Sequence, residues 1–119
     1  MSVEIRKQMA QLCESRKTRT VGSYPDHPSK WRPRSILVPG SAEHFTDDSA
    51  WLFIRDCLLC DEIEVFDLIL ERPPGKKAWY MVVPISSDQD LYIKVHMGQT
   101  KVIGRSFHLS EPKGSSKDD

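Results

Sequence analysis

The sequence predicts a two-layer α+β domain, and three observations carry that prediction. An amphipathic helix pattern occupies the middle of the chain. From residue 62 the apolar period changes from helical to two. Short turn signals then divide the stretch to residue 109 into four alternating segments. Four strands joined by short loops make an antiparallel meander, with one or two helices packed on one face.

Residues 3–17 read as a short helix in which Val3, Met9, Leu12 and Cys13 form a thin apolar stripe. The following "VGSYPDHPSKWRPRSILVPGS" places Pro25, Pro28, Pro33 and Pro39 within fifteen positions. Proline fixes φ, lacks an N–H and restricts the residue before it, so this segment is extended or looped. Tyr24, Trp31, Ile36, Leu37 and Val38 give it apolar surface, which predicts order against the body. In "FTDDSAWLFIRDCLLCDE", Thr46 is a good N-cap, and Asp47 and Asp48 put negative charge at the positive end of the helix dipole. Ala50, Phe53, Ile54, Cys57 and Leu58 follow on one face, widened by Trp51.

The strands are then "EIEVFDLIL", "KAWYMVVPI", "LYIKVHM" and "KVIGRSFHL". Pro74 and Gly75 in "RPPGKK" suit the centre of a type II turn. Pro84 ends the second strand, and "GQT" turns the third into the fourth. The expected organisation is one domain over residues 1–110. It comprises an N-terminal helix within 1–20, an ordered proline-rich segment over 21–45, a helix over 46–60 and a sheet over 62–109. A disordered tail over 111–119 completes it.

The 119 residues suit a single core, and 39% apolar with 29% charged residues is an ordinary soluble balance. No apolar run approaches the roughly 20 residues of a membrane span. The N-terminus lacks a signal-peptide core, and any disulfide scheme leaves one of three cysteines over. A reduced, cytoplasmic protein without membrane partners is the expectation. Net charge is zero but uneven: residues 1–40 hold eight Lys/Arg against three Asp/Glu, and residues 41–72 two against nine. Residues 73–110 hold five against two, so a locally positive face is compatible with overall neutrality.

Alternation in the third strand puts Tyr92, Lys94 and His96 on one side and Leu91, Ile93, Val95 and Met97 on the other. In the fourth, Ser106 and His108 share a side, and Gly104 is a position where a bulge would carry Arg105 across to them. Such a set meets the needs of metal-independent RNA cleavage by 2′-OH attack. Histidine moves protons near neutral pH, arginine holds a phosphate with two hydrogen bonds, and Tyr92 or Trp79 could stack a base. A solvated sheet face uses the same residue types, so the pattern by itself leaves both readings open.

Other motifs are weaker. Cys57 and Cys60 form a C-x-x-C without a second pair or a spaced histidine, so core packing explains Cys57 better than zinc. Lys76 and Lys77 follow a hairpin turn that lacks the P-loop frame. Asp61, Glu62, Glu64 and Asp67 read as the solvated side of a strand.

The runs PPGKKAWY, LYIKV and KVIGRSFH, preceded by FTDDSAWLFIRDCL, resemble the MqsR-type and RelE-type toxins of bacterial type II toxin–antitoxin modules. The resemblance spans about residues 31–111. It implies a RelE-like sheet with helices on one side, an mRNA endoribonuclease without metal or other cofactor, and neutralisation by a cognate antitoxin. The RNA would be cut free or on the ribosome. The positions implied for catalysis are Lys94, Arg105, Ser106, His108 and His96, with Lys76, Lys77, Tyr92 and Trp79 binding substrate. The competing expectation is a non-catalytic immunity or antitoxin-like protein that masks a basic partner through its acidic 43–71 segment. A third is a nucleic-acid binder without chemistry.

Overall fold

A computed structural model of the chain describes residues 1–22, 30–70 and 74–110. The expected tail at 111–119, Tyr24, Pro25 and Pro28 lie outside the described residues.

Helix α1 covers Val3–Leu12, with the Ser2 hydroxyl accepting from the Ile5 N–H (3.2 Å). It ends earlier than the expected residue 17 because polar side chains take over the backbone there. The Thr18 hydroxyl donates to the Leu12 carbonyl (2.7 Å), and the Ser15 hydroxyl accepts from the Lys17 N–H (3.1 Å). The chain then enters strand β1, Arg19–Val21, which pairs in parallel with the last strand. This corrects the expected four-stranded antiparallel meander. The sheet has five strands and is mixed. Three residues reading Arg-Thr-Val are too short and too polar to show a period of two. Arg19 is buried, and its guanidinium donates to the Cys13 carbonyl (2.7 Å) and to Asp48.

Helix α2 covers Asp47–Leu58 behind a reciprocal Thr46/Ser49 capping box. It buries Ala50, Trp51, Ile54, Cys57 and Leu58. Its C-terminal carbonyls are met by α1: the Arg6 guanidinium donates to the carbonyls of Leu58 (2.8 Å), Cys57 (3.1 Å) and Cys60 (2.9 Å).

The remaining strands are β2 (Phe66–Ile69), β3 (Lys77–Pro84), β4 (Asp90–Met97) and β5 (Val102–Leu109), in the spatial order β1-β5-β4-β3-β2. β2 is shorter than the expected 62–70 because the end of α2 runs on into a turn, where the Ile63 N–H donates to the Cys60 carbonyl (3.2 Å). Gly75 has φ +79°, the value a type II turn requires at its third position. The core lies between α1, α2 and the inner face of the sheet, where Trp79, Met81, Val83, Leu91, Ile93, Val95, Val102 and Phe107 are buried.

The proline-rich segment closes this core from the edge. Trp31 bridges to Phe107 in parallel register, and the Arg32 N–H donates to the Phe107 carbonyl (2.8 Å). The Trp31 ring sits 5.2 Å from Trp51 and 5.5 Å from Phe107, centroid to centroid. It lies directly over Gly104, where a Cβ would come within 2.5 Å of the indole. β5 is bulged at this point. Ser106 faces Lys94 while Gly104 faces Val95, so Arg105 is the extra residue.

Gly104→Ala should therefore cost about 1–3 kcal/mol through overpacking, read as a lower urea midpoint at unchanged slope. A midpoint equal to wild type would mean that Trp31 does not rest on Gly104.

Candidate functional site

The face of the sheet away from the helices carries the residues of chemical interest. β3 presents Ala78, Tyr80 and Val82 there, because Trp79, Met81 and Val83 take the apolar side. β4 presents Tyr92, Lys94 and His96, as its alternation predicts. β5 presents Ile103 opposite His96, Ser106 opposite Lys94 and His108 opposite Tyr92. The change from odd to even positions along β5 is the work of the bulge. Arg105 joins the same face: its Cδ and Nη1, like Ile103 Cγ2, approach the Cβ position of Gly22, and its charge acts on His96.

Four rings cross this face in a column. Phe66 and Tyr80 are cross-strand partners with centroids 5.0 Å apart and planes at 23°. Tyr80 and Tyr92 meet on the diagonal at 5.7 Å and 29°. Tyr92 and His108 are partners again, at 5.4 Å and 35°. The column therefore runs from the β2 edge to β5 across the strands. Lys94 lies beside it, between Tyr80 and Ser106 in register. Among the outward positions of the described strands, Lys94 and Arg105 are opposed by one acidic residue, Asp90 at the start of β4.

Part of the acidic middle of the chain is met by cations, mostly of the basic N-terminal part. Asp48 pairs with Arg16 and Arg19, Asp47 with Arg34 (3.6 Å), and Arg55 with both Asp56 (3.0 Å) and Glu14 (3.6 Å). The N-terminal amine lies 3.8 Å from Asp67. The Arg16 hydrogen bond holds the Asp48 carboxyl below its ordinary value.

Individual site residues fare differently. Tyr92 and Lys94 are half-buried on the open face. Ser106 is there too, but only 1% exposed, so its hydroxyl is not presented to solvent. His108 is half-buried; its Nδ1 lies 2.9 Å from the Leu109 carbonyl and its Nε2 is shielded. His96 is buried under the Arg105 side of the face, and its Nδ1 meets no hydrogen-bond partner among the described residues. Burial first, then the charges of Arg105 and Lys76, push His96 down to about 4, so it is neutral at pH 7 and cannot serve there as a general acid. Lys76 belongs with His96 and Arg105, whereas Lys77, paired with Ile69, falls on the opposite parity. Trp79 is a correction: it is 7% exposed and faces the helices, where no base can reach it. Phe66 and Tyr80 are the residues missed. The signal was available, because Trp79, Met81 and Val83 together mark the inner parity of their strand and leave Tyr80 outside.

Cys57 packs in the core, and burial pushes its thiol up to about 12. Among the described residues no three of His, Cys, Asp and Glu gather as a metal site, and no helix is long and apolar enough to cross a membrane. These features define a small α+β protein with an open sheet face that is aromatic along one line and cationic beside it. No protein-family model, no curated protein and no solved structure matches the chain.

Burial of neutral His96 makes the fold less stable in acid. Below its unfolded pKa of about 6.5 the unfolded chain takes a proton that the folded imidazole refuses, so stability is lost as pH falls from about 6.5 towards 4. The loss attributable to this residue is about 2–3 kcal/mol over that window. Urea unfolding of wild type and His96→Leu at both ends of the window measures it; equal pH dependence in the two proteins would refute the assignment.

Proposed function

We propose that the open sheet face binds single-stranded RNA and that the protein is a toxin-type endoribonuclease, cutting mRNA without a metal through attack of the ribose 2′-OH. The observation that carries this reading is the four-ring column flanked by Lys94 and Arg105. The rings lie nearly parallel and stack on one another, which leaves their edges along the line for apolar contact with unpaired bases, and the adjacent cations match the phosphates between them. The resemblance of residues 31–111 to MqsR-type and RelE-type toxins supplies the chemistry and a cognate antitoxin as partner. Lys94 and Arg105 hold the scissile phosphate and stabilise its developing charge. His108 transfers the proton once its ring turns Nε2 towards the strand. Ser106 is a positioning residue opposite Lys94 on the neighbouring strand, and His96 stays neutral near the Arg105 charge.

The alternative of an acidic masking surface over 43–71 keeps Glu43, Asp61, Glu62 and Glu64 as exposed carboxylates, whereas Asp47, Asp48, Asp56 and Asp67 already face cations of the same chain.

Induced expression in bacteria should arrest growth with wild type, with cellular transcripts cut, while Arg105→Ala and His108→Ala lower the cleavage rate by about 10²-fold or more and relieve the arrest. Circular dichroism on the purified variants checks that they are folded. Arrest that persists with both folded variants would reject this site, and harmless wild type that cuts no transcript would reject the enzyme.

A further inference from the structure

The aromatic column ends at His108, on the side of β5 where the sheet continues into the proline-rich segment. Trp31 and Phe107 are partners in an isolated parallel bridge, and Arg32 and His108 each follow one residue beyond it. Arg32 leaves the extended conformation there (φ −133°, ψ 49°) to start the next turn. The rings of Trp31 and Phe107 meet on the helical side, while His108 keeps to the open side.

Directly beyond Arg32 the chain makes a single 3-10 turn, Pro33–Ser35, and a groove of about 440 Å³ opens against it. Its walls are Trp31, Arg32, Pro33, Arg34, Ser35 and Asp47. That volume is within the range of small-molecule sites. The lining offers a nucleotide an indole edge for the base or sugar and two guanidiniums for phosphate, while the Ser35 hydroxyl donates to the Arg32 carbonyl (2.9 Å) and steadies the turn. Arg34 is 78% exposed and held by an exposed pair with Asp47, the kind of contact worth little in water and readily exchanged for a phosphate.

We infer that this groove is a nucleotide subsite, holding the residue of single-stranded RNA that follows the His108 end of the column, with its phosphate on Arg32 and Arg34. The RNA then runs across the strands, from the β2 edge over Tyr80, Tyr92 and His108 and off the β5 edge. This deepens the RNA-binding reading of the open face and rests on it.

Fluorescence anisotropy with labelled 2′-O-methyl RNA, which cannot be cut by 2′-OH attack, tests the path on the full chain. Oligonucleotides of roughly four to ten residues cover the site sizes of comparable single-strand binders. Wild type should gain affinity with length until the groove is filled. The double variant Arg32→Ala/Arg34→Ala should bind the shortest oligonucleotides as wild type does and the longest about 10-fold more weakly. Its slope of log affinity against log salt should be shallower by about 0.7, the contribution of the one phosphate that the two arginines share on a single strand. Tyr92→Ala, which interrupts the column, should weaken every length. If Tyr92→Ala weakens binding while the double variant matches wild type throughout, the subsite is wrong and the face reading stands. If wild type binds none of the oligonucleotides, both fall together.

Discussion

The rest of the structure depends on one contact, the indole of Trp31 lying on the bare backbone of Gly104. A side chain at position 104 would occupy the space of the ring, so the approach exists only because that residue is glycine. Three features meet at it. Trp31 seals the core beside Trp51 and Phe107. The proline-rich segment is fixed along β5 through the Arg32–Phe107 hydrogen bond. The bulge beside Gly104 shifts the parity of β5, so that Arg105, Ser106 and His108 all belong to the open face. The indole N–H is buried with no acceptor among the described residues, so the value of the contact lies in packing and not in hydrogen bonding.

The helical layer is organised by arginines drawn from the first twenty residues. Arg6 satisfies the end of α2, and Arg19 ties β1 to both the end of α1 and the start of α2. Charged-to-carbonyl hydrogen bonds of this kind are stronger than neutral ones and, in Arg19, are protected from water. Part of the basic start and part of the acidic middle thus pair on the helical side, through Arg16 and Arg19 with Asp48 and Arg34 with Asp47. On the open sheet face Lys94 and Arg105 stand beside the ring column, so a chain of zero net charge can still carry a local cationic patch.

On that face the rings and the cations have separate geometries. The rings follow a line across the strands, alternating direct and diagonal neighbours, while Lys94 and Arg105 stand to one side of it. A ligand that satisfied both would be a polymer with flat groups on one side and charge on the other. His108 ends the ring line against Tyr92 and lies two residues along β5 from Ser106, the partner of Lys94, so it stands where the rings and the polar side chains meet.

The sequence by itself determined the local features. The capping signals at Thr46, the 3–4 spacing of α2 and the two-residue alternation of β4 are set by near neighbours, and each appears where the residues place it. It also marked Gly104 as a bulge position, because glycine inside a strand has few other uses. Tertiary structure alone decided the rest. β1 is a strand only because β5 offers it hydrogen bonds, and three residues carry no period of their own. Trp79 and Tyr80 are adjacent aromatics, and which one faces solvent depends on which side the helices cover. The burial of His96 and Ser106 likewise comes from neighbours far along the chain, which residue type and spacing do not record.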